Sequence, residues 1–150
     1  MKIQTLPMIV ASVCCLSVNS AMAADAIHPA VMDKAEIASD IAQHPNVMIK
    51  KINNGPDGLD VVSMISSDQR FAVGKFKATG PYRTEHTKPR GVDEYMHFLE
   101  GGITLTSSDG KVTEVKAGDS VTIPKEWTGI WETEGYTKIY IIHVPGDYPN

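Results

Sequence analysis

The stretch from Asp93 to Pro124 reads DEYMHFLEGGITLTSSDGKVTEVKAGDSVTIP. Glu94, Met96 and Phe98 share one face of an extended segment at 94–99, and a second apolar segment follows at 102–106. Period-two spacing of this kind marks half-buried strands. Glu100-Gly101 stands between them, where glycine lets the chain bend sharply. Ser107-Ser108-Asp109-Gly110 joins 102–106 to a strand at 111–115 as a hairpin, since glycine tolerates the positive φ such turns need. Gly118-Asp119 makes a tight turn before the apolar strand 120–123, and Pro124, with no N–H to give a ladder, closes it.

The same grammar extends on both sides. Strands are predicted at 47–49, 59–65 and 71–77, separated by the Asn53–Gly58 turn cluster and punctuated by Gly80-Pro81, and a last strand at 137–144. Even spacing of short strands with turns between them predicts an all-β sandwich or closed barrel. No helical crossovers separate the strands, which argues against a parallel α/β sheet. The 12 glycines and 9 prolines, dense in 55–150, argue against a helical bundle. Before the strands, Asp33 and Glu36 form a weak capping box ahead of Ile37 and Ile41, so a helical arm is predicted over 24–46, ending before Pro45.

The first residues do not read as part of this fold. Lys2 precedes an apolar run of 11 residues, 8–18, and Ala21-Met22-Ala23 follows as a cleavage site. That order is a secretory signal peptide over 1–23, and the run is too short to span a bilayer. Cleavage after Ala23 removes both cysteines, Cys14 and Cys15, and with them thiol chemistry, disulfides and Cys-based zinc. The net charge of −4 becomes −5, because 13 basic and 18 acidic residues remain. A periplasmic or secreted protein is expected. An acidic domain without a basic stretch is a poor nucleic-acid binder, and no membrane association is expected once the signal is removed.

Glu94 with Leu99-Glu100-Gly101, Asp109-Gly110, Ala117-Gly118-Asp119, Pro124 and Trp131-Glu132 form a set that resembles the cupin superfamily. The similarity is to the small single-domain branch that includes ureidoglycine aminohydrolase domains and ethanolamine-utilisation cupins. It covers roughly 74–144. The resemblance implies a jelly-roll β-barrel, the double-stranded β-helix, over 47–150, preceded by the short helix. Small cupins commonly associate, so a homodimer through sheet edges is expected.

Metal-dependent cupins, by that resemblance, hold an ion with H-x-H, a glutamate soon after, and a histidine in the second motif. Glu94 matches the glutamate. The histidine positions fall on Thr87 or Lys88, on Pro89 or Arg90, and on Gly129. Three of four ligands are missing, and a lone carboxylate does not hold a transition ion. No metal and no other cofactor is therefore expected, unless His86 substitutes after a register shift. His97 and His143 read as hydrogen-bonded structural residues, and His28 and His44 lie in the arm.

What remains is a pocket. The resemblance puts Glu94, Met96 and Phe98 on the inner face. A buried glutamate needs a partner, and Arg83, His86, Lys88 and Arg90 precede it closely. Glu94, with a pKa raised by desolvation, and His86 are the candidate acid–base groups. Arg83, Arg90, Met96, Phe98, Trp127 and Tyr140 are the candidate ligand contacts, with Trp131 read as core and Tyr82 and Tyr95 as further aromatics. Lys138 and Tyr140 share one face of the last strand; Ile139, Ile141 and His143 share the other. Which face is inside stays open. The expected function is binding, or metal-free processing, of a small polar molecule. The alternatives are a metal-dependent enzyme of the ureidoglycine aminohydrolase type and a non-catalytic structural cupin, the latter expected to have its barrel filled by side chains.

Overall fold

The computed structural model describes residues 27–146; the signal-peptide reading of 1–23 lies outside them. Eight strands follow a short arm: β1 (Met48–Lys50), β2 (Gly58–Ile65), β3 (Phe71–Ala78), β4 (Tyr82–His86), β5 (Asp93–Ser107), β6 (Val112–Lys116), β7 (Ser120–Ile123) and β8 (Gly129–His143). All pairings are antiparallel, in the order β1-β2-β3-β8-β5-β6, with β4 added to β8 and β7 to β5. The result is the expected all-β jelly roll.

Two 15-residue strands, β5 and β8, form its spine. They pair with each other along nearly their whole length, and each carries two shorter strands on its other edge. The segments 94–99 and 102–106, predicted as separate strands, are thus one strand. The bend expected at Glu100-Gly101 is present as bulges between Phe98 and Glu100 and between Gly102 and Thr104. Gly101 (φ +63°) and Gly135 (φ +125°) face each other's neighbours at this bend, and a Cβ on Gly101 would collide with the Gly135 carbonyl oxygen.

The bulges also switch which residues point inward. On β5 the inward set is Glu94, Met96 and Phe98 before the bend and Ile103 and Leu105 after it; on β8 it is Trp131 and Thr133, then Tyr136, Lys138 and Tyr140, while Thr137, also buried, lies on the other face and bonds Glu100. One extra residue shifts the two-residue period by one. The open choice on the last strand is thereby decided: Lys138 and Tyr140 face inward. Strand β4 was not anticipated, because Tyr82-Arg83-Thr84-Glu85-His86 is largely polar. It is held by pairing with 129–133 of β8.

The arm is shorter in helix than predicted. Asp33 caps α1 (Lys34–Ala38), accepting from the Glu36 N–H at 2.8 Å, but Ser39 ends it by donating back to the Glu36 carbonyl. Asp40 then caps a separate 3₁₀ turn, Ile41–Gln43. Ser and Asp compete with the helical backbone in this way. Ile41 is 2% exposed and anchors the turn on the barrel. Beside it, Lys75 Nζ donates to the Glu36, Ile37 and Ser39 carbonyls at 3.2, 2.8 and 2.7 Å, satisfying acceptors left over at the helix end. Replacing Lys75 with Met removes all three bonds. Amide exchange across 36–44 is expected to accelerate while β5 and β8 stay protected; unchanged arm protection would show that Ile41 alone holds it.

Candidate functional site

Glu94 lies near the start of β5 on its inward face and is 3% exposed. Its two carboxylate oxygens are taken by two different cations. Lys138 Nζ donates to Oε1 at 2.6 Å, and Arg90 Nη2 donates to Oε2 at 2.5 Å. Lys138 stands opposite Phe98 on β8 and extends along the strand past Met96, whose Sδ is 3.0 Å from its amine. Arg90 comes from the loop before β5. That loop is tied down by Gly91 N–H to the Lys125 carbonyl at 2.9 Å and by Lys125 N–H to Asp93 Oδ1 at 2.9 Å.

The two cations lie against aromatic faces. Lys138 Nζ is 5.3, 5.5 and 5.8 Å from the ring centres of Trp131, Tyr136 and Phe76, and the Arg90 guanidinium carbon is 5.5 Å from that of Trp131. Both geometries favour a positive charge. Tyr82 and Tyr136 hydroxyls meet at 2.9 Å, and Tyr140 donates to Asp60 at 2.9 Å, with Lys50 3.8 Å from the same carboxylate. Burial raises both Tyr82 and Tyr136 above the usual tyrosine range. The Trp131 indole N–H lies close enough to influence the Tyr82 hydroxyl but has no partner at hydrogen-bonding geometry. Arg90 Nη1 is likewise buried without an acceptor.

These groups line an open cavity of about 380 Å³, whose walls include Phe76, Tyr82, Thr84, His86, Trp131, Tyr136 and Tyr140. A hollow of similar size beside Gly101 and Gly135 contains only surface Glu and Lys as ionisable groups. The barrel is thus not completely filled by side chains.

Several expectations about individual residues need correction. Arg83 is not a partner of Glu94: β4 points it outward, where it pairs with Glu132 at 3.3 Å, both about half exposed. Lys88 is exposed as well. Lys138, 44 residues further along the chain, takes that place because the β8 bulge turns it inward. Met96 and Phe98 are inward but completely buried, so they floor the barrel rather than face the cavity. Trp127 donates to Ser107 Oγ at 3.1 Å and packs on His86, while Trp131, read as core, both packs there and lines the cavity. Tyr95 is on the outer face, bonded to Ser120. Tyr140 and His86 line the cavity. His97 meets Ser120 Oγ at 2.9 Å, and His143 Nδ1 lies 3.5 Å from Asp93, away from the cavity.

The Glu94 pKa moves opposite to the expectation. Burial raises it, but Lys138 and Arg90 outweigh that and hold it below the usual glutamate value. Glu94 is therefore an ionised counterion, not a proton-holding acid. Burial lowers Lys138 more than Glu94 lifts it. Two cations share one anion, so the anion is over-compensated and each cation under-compensated. His86 is lowered by desolvation and then by Arg90, which favours its neutral form.

This donor set does not fit a metal ion. Of its two carboxylates, Glu94 already carries two cations and Asp60 accepts from Tyr140, and among the described residues no three His, Cys, Asp or Glu side chains group to hold a metal.

The profile of the EutQ-like cupin domain family matches residues 66–140. No curated protein matches the sequence. A protein with unknown function from Pseudomonas syringae pv. tomato superposes with a TM-score of 0.58 at 18% identity, over 64% of this chain and 43% of that one. The cupin domain of Schizosaccharomyces pombe Cnp3 gives 0.52 at 14% identity, over 71% and 81%. An RmlC-like cupin from Shewanella frigidimarina gives 0.51 at 16%, over 67% and 86%. The chain spans less than half the length of the Pseudomonas protein, and likeness at these identities speaks for the fold alone.

Removing Glu94 leaves two buried cations without an anion. Glu94→Gln is expected to destabilise the barrel by about 3–5 kcal/mol in urea unfolding. A joint Glu94→Leu and Lys138→Met change recovers part of that loss. The pH sign follows from the lowered pKa: the stabilisation from Glu94 is complete above the ordinary value of 4.5 and lost as pH falls through the lower folded value. That acid limb is expected to shrink in Glu94→Gln; an unchanged limb would mean other carboxylates control it.

Proposed function

The chain belongs to the EutQ-like cupin domain family, and on that footing we propose that it binds a small polar molecule in the cavity above Glu94. The observation that supports this is the cavity itself. A structural cupin is expected to have its barrel filled by side chains, whereas here the Arg90–Glu94–Lys138 group lines about 380 Å³ of open space. Concave, mostly apolar walls with a few convergent polar groups are the general form of a ligand site. Keeping charges buried is costly and stabilises the fold little.

The metal-dependent alternative of the ureidoglycine aminohydrolase type is not supported, because the glutamate it would use is committed to two cations. Acid–base processing retains one group in the cavity, His86, whose lowered pKa favours the neutral imidazole at neutral pH. The binding reading does not depend on it.

Thr84 lines the cavity on β4 without contributing to the charged group. Small molecules that raise the Tm of the wild type are expected to lose that effect on Thr84→Trp, which fills the space, while the unliganded variant still folds. Binding that survives this change would place the ligand elsewhere. Export is also part of the reading, resting on residues 1–23 alone. N-terminal sequencing of the protein from its native envelope is expected to begin at Ala24, and a start at Met1 would sink it.

A further inference from the structure

The cavity contains more donors and more positive charge than its own acceptors use. Within the Arg90–Glu94–Lys138 group two cations face one carboxylate, which leaves one positive charge over. The neighbouring charges do not remove it: Lys50 pairs with Asp60 at 3.8 Å, and Lys51 with Asp57 at 2.6 Å. This surplus is set in a chain whose net charge is −4, so it is a local feature rather than a reflection of the whole surface. Two buried donors beside it, Arg90 Nη1 and Trp131 Nε1, have no acceptor at hydrogen-bonding geometry, the Tyr82 hydroxyl being near the indole N–H but outside that geometry. Trp131 is 96% buried and lines the cavity, as Arg90 does. The carboxylates lining the cavity are already engaged, Glu94 by two cations and Asp60 by the Tyr140 hydroxyl. A buried donor without an acceptor costs free energy, so it marks a place where an acceptor belongs.

Resting on the binding reading above, we propose that the ligand is a small organic carboxylate. Its carboxylate supplies the missing negative charge and accepts from Arg90 Nη1 and Trp131 Nε1. The guanidinium carbon is 5.5 Å from the Trp131 ring centre, so the two donor-bearing side chains are neighbours on the cavity wall. Its carbon skeleton lies against the Phe76, Tyr82 and Tyr136 rings. A cationic ligand meets like charge here, and a neutral alcohol leaves the surplus charge unanswered.

The test is calorimetric titration of the full mature chain with matched pairs of equal shape: benzoate and benzamide, phenylacetate and phenylacetamide, butyrate and butyramide. At least one carboxylate is expected to bind about tenfold or more tighter than its amide. Trp131→Phe is expected to abolish most of that preference, because it deletes the donor, and also to lower the Tm of the free protein, because the smaller ring packs less of the core. A purely structural Trp131 would lower the Tm and leave the carboxylate preference intact, and that intact preference would overturn the assignment of its donor. Should amides bind as tightly as carboxylates, and both lose binding in Thr84→Trp, the carboxylate inference fails and the binding reading stands. Should other small molecules occupy the cavity and no carboxylate do so, the same inference fails. Should nothing bind the wild type, both fall.

Discussion

One carboxylate shared by two cations is the constraint around which this barrel is arranged. Glu94 is buried, so it must be paired, and its partners arrive from two separate parts of the chain: Arg90 from the loop before β5, Lys138 from the middle of β8. Holding both demands that the loop be pinned, which Gly91, Asp93 and Lys125 do, and that β8 present a lysine inward among aromatic rings. The arrangement leaves one charge and two donors unmet at the edge of a cavity, and that incompleteness is what makes the site readable as a site.

The inward lysine depends in turn on a matched defect in the two long strands. Without the irregularities around Gly101 and Gly135, a single period-two pattern would run through all of β5 and all of β8. Residues at one end of each strand would then face solvent, with Trp131 turned out of the barrel or Lys138 lost from it. The bulges let one continuous sheet serve both ends of the core, and the paired glycines are the residues that tolerate the backbone angles and close contact this requires.

Beside the metal-ligand pattern that its resemblance implies, the chain keeps the acidic position and changes what sits on it. One position counted there as histidine is Arg90, which now reaches the glutamate directly. Where that pattern would set an ion, two side-chain cations meet the glutamate. The site can still attract negative charge and donate hydrogen bonds, but it offers no open coordination position.

Much of the architecture was legible from residues alone, since alternation, turn glycines and Pro124 are local signals. Strands β2, β3, β6 and β7 fall within a residue or two of where the pattern puts them, and Asp33 caps its helix. The local signals also placed Glu94, Met96 and Phe98 on one face. They did not reveal β4, whose polar residues are ordered by pairing with β8, nor the break in the arm, where Ser39 and Asp40 outbid the helical backbone. Nor did they choose a partner for Glu94. Proximity along the chain pointed to Arg83, His86, Lys88 and Arg90; Arg90 does reach Glu94, yet strand alternation turns Arg83 outward, and the second partner, Lys138, is 44 residues away. Sequence by itself determined most of the strands, the shared face of Glu94, Met96 and Phe98, and the need for a counter-charge. Only the tertiary structure decided which cation meets it, because that depends on a bulge in one long strand aligning with a bulge in another.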